Sequence, residues 1–360
     1  MYKKKIAIIC DYIIKPNRIG GMDRFYKLYD SELKKVGVQT DWYFTNIEVT
    51  DFYNQLNMIS AKGNLVEQKF IEVSRNKSYD VIVTHFTQLC THYYKQYKNL
   101  HKKAFVIAVD HNPRPINGFT FQKIIKNYLR SFLNGKYIDK FIAVSEYSKN
   151  HLINDFSLLI KSKIQVVLNG VSNEGFIFKK NYSGVTKFII TSHLRKEKGV
   201  QDIIFAVSNL PDNLKQEIKI DVFGEGNYEP ELKKIIDDLD LQQQFTFKGS
   251  VTDLEKRYAK YDYLLHASYG ETYCYSVVES LVAKLPVITT NSAGNVLKLV
   301  KNQENGFLFD AGNLEALSSI IQNIMLYKNI ITKESFFKTM IPDMSLERMV
   351  NEHIKVLACI

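Results

Sequence analysis

Cysteine is scarce in this chain of 360 residues: there are four, Cys10, Cys90, Cys274 and Cys359, and they lie far apart. No C-x-x-C pair exists, so neither a disulfide framework nor a zinc site is suggested. A reducing, cytoplasmic setting is the expectation. Long apolar runs are missing too. No stretch of about 18 apolar residues occurs, so no membrane span is expected. The basic start MYKKK leads into a five-residue apolar run that Asp11 ends. That run is too short for a secretory signal and reads as a first strand. No short-period repeat and no low-complexity segment is present. No acidic cluster of metal-ligand character occurs, so neither a catalytic metal nor a cofactor is expected. No nucleic-acid-binding module is recognisable.

Hydrophobic residues make up 45% of the chain and charged residues 24%, enough for packed cores in one to three soluble domains. The net charge of +10 is unevenly spread: residues 1–175 hold 26 Lys and Arg against 15 Asp and Glu, the remainder 22 against 23. Such an imbalance points to an anionic partner for the first half, or to a general lysine bias of the surface. The candidate partners are nucleic acid, an anionic membrane surface and a phosphorylated lipid acceptor.

Short apolar strands alternate with helical stretches along the whole chain. The first series predicts strands over residues 3–10, 79–84, 104–109, 140–144 and 164–168. After residues 172–186 a second series begins, with strands over 187–191, 218–223, 244–247, 263–266 and 287–290. Helices are predicted over 24–36, from Glu146, and over 200–210, 229–239, 254–261, 276–284 and 314–325. Buried strands separated by helices build a parallel sheet covered on both faces. Two such series predict an α/β protein of two doubly wound, Rossmann-like domains, residues 1–172 and 173–344. Ligands in such sheets sit at the carboxyl ends of the strands, which places a site in the cleft between the two domains.

The most informative segment runs from Gly270 to Asp310. Glu271 follows the apolar strand YDYLLHAS, and Glu279 lies inside the predicted helix 276–284. A helix starting between the two acids aims backbone N–H groups and its positive dipole end beside Glu271. Such a helix start binds phosphate well. Two carboxylates flanking an anion site suit a ligand with a central diphosphate and hydroxyls at both ends, which is the form of a nucleotide-sugar. The bland alternative is two glutamates favoured by the helix dipole.

Residues 121–133, FQKIIKNYLRSFL, carry apolar residues at 121, 124, 125, 128, 129, 132 and 133, the template of one helix face. Lys123, Lys126 and Arg130 lie off that stripe, with Lys136 and Lys140 following. The favoured reading is an amphipathic helix packed on the first sheet. The sharper one is an interfacial helix that touches anionic lipid and brings the first domain to a lipid-linked acceptor.

Taken in order, these motifs make the chain resemble glycosyltransferases of the GT-B fold, family 4 (group 1, retaining). The match rests on Gly270-Glu271 with Glu279, then Leu285-Pro286-Val287-Ile288, Ala293-Gly294-Asn295 and Asn305-Gly306-Phe307-Leu308. Upstream it is carried by Gly20-Gly21, His111, Val144-Ser145, Asn169-Gly170-Val171, Lys198-Gly199 and Gly224-Glu225-Gly226. The resemblance covers roughly residues 10–345.

It implies an N-terminal acceptor domain, completed by a C-terminal helix at about 345–360, and a C-terminal donor domain. Lys198 would bind the donor diphosphate and neutralise it as the sugar leaves. Glu271 would contact hydroxyls of the transferred sugar and Glu279 those of the ribose. His111 would lie near the sugar-bearing carbon, with Asp110 orienting its ring. Gly20 and Gly21 would approach the diphosphate and acceptor. Gly224 and Gly249 to Val251 would lie near the nucleotide, and Thr272, Tyr273 and Cys274 would face the donor. Cys274 has no base partner in the sequence and reads better as a small buried residue than as a nucleophile. The chain departs from the family at His193, where an arginine is usual; Arg195 or a protonated His193 would have to supply that charge.

Each residue also has a plainer reading. Gly20-Gly21 can be a simple turn, Lys198 part of a solvated charge run in LRKEKG, and His111 a structural histidine. Gly224-Glu225-Gly226 lacks the third glycine of a dinucleotide fingerprint. The reading implied is transfer of a hexose-type sugar from a nucleotide-diphospho-sugar to a saccharide acceptor, lipid-linked, in bacterial capsule or lipopolysaccharide synthesis. The setting would be the cytoplasm or the inner membrane face. The rivals are a nucleotide-sugar epimerase or phosphorylase on the same fold, and a non-catalytic nucleotide-sugar-binding module.

Overall fold

The computed structural model of the protein describes residues 4–16, 19–48, 51–112, 114–115, 118–172, 174–182, 185–327, 330–339 and 343–358. Pro113 and Cys359 lie outside them, as does the side chain of Ala293. The chain forms two compact units. The first holds the described residues up to Ser172 together with those from Ser345 onward; the second lies between.

Unit 1 runs β1 (Lys5–Ile14), α1 (Gly21–Lys35), β2 (Gln39–Ile47), β3 (Met58–Ser60), α2 (Val66–Val73), β4 (Val81–His85) and α3 (His92–Leu100). It continues through β5 (Phe105–Asp110), α4 (Phe121–Asn134), β6 (Lys140–Ala143), α5 (Glu146–Phe156) and β7 (Ile164–Val166). All seven strands pair in parallel in the order β3-β2-β1-β4-β5-β6-β7. The order reverses between β1 and β4, and every residue of β4 is buried, as a central strand covered on both faces requires. On one side Ile9, Ile82, Val106 and Phe141 pack with Phe70, Tyr94 and Tyr97 of α2 and α3. Elsewhere Tyr26 of α1 meets Trp42 and Phe44 of β2 edge-on, and the Trp42 indole donates to buried Asp30 at 2.8 Å.

Unit 2 runs β8 (Lys187–Thr191), α6 (Val200–Ser208), α7 (Asp212–Glu217), β9 (Lys219–Phe223), α8 (Glu229–Asp238), β10 (Phe245–Gly249) and β11 (Tyr263–His266). Then come α9 (Tyr275–Val282), β12 (Val287–Thr290), α10 (Ala293–Val296), β13 (Gly306–Phe309), α11 (Leu314–Met325) and α12 (Lys333–Lys338). Its sheet is parallel in the order β10-β9-β8-β11-β12-β13, reversing between β8 and β11. Both units are therefore doubly wound, Rossmann-like α/β folds. The last helix, α13 (Leu346–Ala358), belongs to unit 1. Its Arg348 donates to the carbonyls of Leu168 and Asn169 at 3.0 and 2.9 Å, and the His353 ring sits 4.9 Å from that of Phe25.

Three expectations need correction. Residues 254–261 form no continuous helix but two single 3-10 turns, Leu254–Lys256 and Tyr258–Lys260. The helix expected to reach Lys284 ends at Val282, because Lys284 adopts a left-handed φ of 64°. The favoured reading of α4, with its apolar stripe packed inward, is inverted. Its buried residues are Asn127 and Ser131, while Phe121, Leu129, Phe132 and Leu133 are 77, 58, 71 and 61% exposed. Periodicity marks a face, and this face points away from the core.

Candidate active site

In a doubly wound sheet the loops that leave the strand carboxyl ends at the reversal of order form the ligand-binding edge. In unit 2 these follow Thr191 of β8 and His266 of β11. Backbone contacts tie the two loops together: Tyr269 N donates to Glu197 O at 3.1 Å, and the Ser268 hydroxyl donates to the same oxygen at 3.4 Å. The second loop is held from below, where Thr290 Oγ1 and Asn295 Nδ2 both donate to Ser268 O at 2.7 Å. Close packing needs glycine here. A Cβ at Gly199 would lie 2.0 Å from Ala267 O, and one at Gly224 would lie 1.9 Å from Ser192 O.

This tie sets Lys198 against Glu271. Their Nζ and Oε1 atoms are 2.5 Å apart, with side chains 13 and 16% exposed. His266 Nε2 lies 3.8 Å from the same carboxylate oxygen and 3.2 Å from Cys274 Sγ, and His266 Nδ1 meets Thr289 Oγ1 at 2.8 Å. Burial alone would raise the Glu271 pKa; the His266 hydrogen bond and the Lys198 charge outweigh it and hold the carboxyl at about 2. Burial would lower His266, but Cys274 and Glu271 beside it push it up to about 9. Cys274 therefore does have an imidazole partner. The sequence hid it, because the two residues are joined only when the loop after β11 folds back.

Cys274 is also the N-cap residue of α9 and gives it no side-chain cap, leaving the helix-start amides to other partners. Thr272, Tyr273 and Cys274 are buried. One turn into α9, Glu279 Oε2 accepts from Tyr258 at 2.8 Å, and that phenol is 3.2 Å from Thr191 Oγ1. Burial and the Glu279 charge both hold the Tyr258 pKa well above its usual value, so it stays a hydrogen-bond donor. Ser276 Oγ donates to Thr191 O at 2.6 Å and fixes the helix start to the end of β8.

The residues proposed to replace the usual arginine lie outside this group. His193 is exposed, with Nδ1 3.3 Å from Glu225 O, and Arg195 forms a surface pair with Glu197 at 3.3 Å. Gly249 has a φ of 64° and precedes Ser250, whose amide donates to Glu225 Oε1 at 3.2 Å. Gly224 N donates to Gly249 O at 2.9 Å, and Gly224 and Val251 are half-buried.

In unit 1, Gly20 is the N-cap of α1 and Gly21 its first residue; Gly20 N donates to Asp23 Oδ2 at 2.7 Å. Tyr12 and Tyr53 also donate to the Asp23 carboxylate. His111 follows β5 and is buried. Its Nε2 lies 3.0 Å from His85 Nδ1, and its ring stacks on Phe86 at 4.4 Å. Burial, with the nearby His353, lowers its pKa to about 3, so the ring is neutral. The expectation that Asp110 orients this ring is corrected. The Asp110 carboxylate is engaged by Arg114 and Ser148, each at 3.0 Å, and the ring's Nε2 meets His85 instead.

His266, Tyr258, Thr289 and His85 are the site residues that sequence reasoning missed. His266 and His85 both end buried strands at the carboxyl edge, a position that could have marked them.

The sequence model of the family described as "Glycosyl transferases group 1" matches residues 173–334. A poly(ribitol-phosphate) alpha-N-acetylglucosaminyltransferase of Staphylococcus aureus (strain COL) is 21% identical over 64% of this chain and 46% of its own length. A second relative, from Campylobacter jejuni, is an N-acetylgalactosamine-N,N'-diacetylbacillosaminyl-diphospho-undecaprenol 4-alpha-N-acetylgalactosaminyltransferase. It is 26% identical over 58% of each chain. The chain thus spans about half the length of these curated relatives. The crystal structure of Anabaena HepE in complex with UDP and glucose superposes with a TM-score of 0.77 at 16% identity, covering 99% of this chain and 100% of that one. The fold is that of the GT-B glycosyltransferases, and residues 173–334 match the group 1 glycosyl transferases.

Proposed function

We propose that the protein transfers a hexose-type sugar from a nucleotide-diphospho-sugar to a saccharide acceptor, with retention at the anomeric carbon. The observation that carries this reading is the Lys198–Glu271 pair at the reversal point of the second sheet, beside the start of α9. A diphosphate seated at the α9 amides would draw Lys198 from Glu271, and the freed carboxylate would accept from sugar hydroxyls. Glu279, held by Tyr258, would accept from the ribose. As the glycosidic bond breaks, charge grows on the diphosphate, where Lys198 and the helix dipole stabilise it. His193 or Arg195 would add charge after a loop movement. The departing phosphate can take the acceptor's proton, so the mechanism needs neither a separate base nor a catalytic metal. Neutral His111 can hydrogen-bond the sugar in this reading.

A lipid-linked acceptor in surface polysaccharide synthesis fits the names of the relatives, one of which specifies a diphospho-undecaprenol. No helix among the described residues is long and apolar enough to cross a membrane. The inverted face of α4 supplies another route to lipid. Exposed Phe121, Leu129, Phe132 and Leu133 stand beside Lys126 and Arg130, and Leu158 and Leu159, next to α5, are 70 and 66% exposed. Apolar side chains flanked by cations suit the anionic inner face of a membrane.

The test measures nucleotide release from UDP-sugars with and without saccharide acceptors. Release that depends on acceptor supports transfer. Sugar interconversion without acceptor would instead favour the epimerase reading, and binding without turnover the non-catalytic one.

A further inference from the structure

We propose that His266, Glu271 and Cys274 form a binding site for a thiophilic divalent cation of the zinc class, and that this cation competes with the sugar end of the donor for Glu271. One ligand atom from each residue lies within 4.8 Å of the others, and His266 and Cys274 are buried. A tetrahedral ion with bonds of about 2.3 Å to sulfur and about 2.1 Å to nitrogen or oxygen sets its ligand atoms roughly 3.4–3.6 Å apart. The 3.2 Å between Sγ and Nε2 and the 3.8 Å between Nε2 and Oε1 bracket that spacing.

The imidazole is already aimed. His266 pairs with Thr289 across β11 and β12, and its Nδ1 meets the Thr289 hydroxyl at 2.8 Å. With Nδ1–H donating to that hydroxyl, Nε2 faces Cys274 and Glu271, and losing its proton turns its lone pair toward a metal held between them. A partner on the second ring nitrogen is how metal-binding histidines are fixed. Thiolate and imidazole select zinc-like ions over magnesium or calcium, which prefer sets of oxygen ligands. On binding, the thiol proton and the second imidazole proton of His266 leave to solvent. Three protein ligands leave one coordination position open.

Glu271 is paired with Lys198 at 2.5 Å. An ammonium and a divalent cation on one carboxylate repel each other, so metal binding would release Lys198 and withdraw Glu271 from the sugar. The metal site stands on geometry alone. The competition rests on the donor reading above.

The experiment titrates Co2+ into the full chain carrying Cys359→Ser, which removes the thiol outside the described residues, with and without Cys274→Ser. Serine is a good N-cap, so the second variant should keep α9. Expected is one equivalent of Co2+ with a tetrahedral spectrum and a thiolate-to-cobalt band, displaced by Zn2+ but not Mg2+, and without that band in Cys274→Ser. No tetrahedral spectrum, or a band unchanged in Cys274→Ser, overturns the site. Zn2+ at about ten times its own Kd should weaken UDP-glucose binding about tenfold by mass action, while UDP, with Lys198 released, binds as tightly as before or tighter. UDP-glucose binding unchanged by Zn2+, or UDP binding weakened by it, overturns the competition. Failure of UDP-glucose and UDP to bind without metal would sink the donor reading and leave the cobalt result standing.

Discussion

Lys198 Nζ lies 2.5 Å from Glu271 Oε1, so the cation proposed for the donor diphosphate and the carboxylate proposed for the sugar neutralise each other within unit 2. Two opposed effects of Glu271→Gln follow. The amide keeps the shape but no longer holds Lys198, so UDP should bind as tightly as to the wild type or tighter, by up to about fivefold. Sugar transfer should fall roughly 30- to 150-fold, for a lost charge-assisted hydrogen bond worth about 2–3 kcal/mol. Calorimetry with UDP beside turnover of the sugar donor separates the two. Weaker UDP binding in this variant would count against the arrangement.

Tyr258 and Glu279 share a 2.8 Å hydrogen bond that orients the carboxylate proposed for the ribose. Tyr258→Phe should raise the donor KM by roughly fivefold to tenfold, the value of one hydrogen bond of about 1–1.5 kcal/mol, with kcat little changed. A fall in kcat at constant KM would place Glu279 at the reacting bond instead.

Three buried histidines of unit 1 predict a pH dependence of folding. Burial, with their mutual charges, lowers His85 well below its usual value, and burial lowers His111 and His353 to about 3. Aromatic rings of Phe25, Tyr26 and Tyr29 surround them, and Arg348 bears on His353. The native state keeps these rings neutral while the unfolded chain protonates below about pH 6.5. Their contribution is therefore complete above that pH and is lost as pH falls from it toward about 3. Urea unfolding should show a loss of about 2 kcal/mol per histidine between pH 7 and pH 5. His353→Phe should shrink the difference by about that amount. An undiminished difference would refute the assignment.

Much of the architecture is legible in the sequence for a physical reason. Lys187–Thr191, Tyr263–His266 and Val287–Thr290 are short apolar runs that become central strands, where burial on both faces leaves little choice of residue. The strand Gln39–Ile47 is not marked in that way. Its buried Thr40 and Asp41 are polar, satisfied by Asp30 and by Asn57, Lys77 and Tyr79, so the pattern looks like a loop. The two glutamates and Lys198 stand out in the sequence because each adjoins a strand end or a helix start. His266 with Cys274 and Tyr258 with Glu279 do not, because these pairs are made by loop closure and by 3-10 turns that carry no periodic signal.

The exposed face of α4 gives a prediction independent of the donor site. Phe132→Asp and Leu129→Asp change residues 71 and 58% exposed, so stability should move by no more than about 0.5 kcal/mol. Flotation with vesicles of anionic lipid should drop sharply, while turnover on a soluble acceptor persists. Equal flotation of wild type and variants, or none with the wild type, would remove the membrane from the account.

The central claim is that a nucleotide diphosphate sits against Lys198 at the start of α9. Calorimetric titration of UDP into the wild type and into Lys198→Ala tests it most directly. A lost charge-assisted contact of about 1.5–3 kcal/mol predicts a Kd roughly 10- to 150-fold weaker in the variant. Equal affinity in both proteins, or no binding to the wild type, would contradict it.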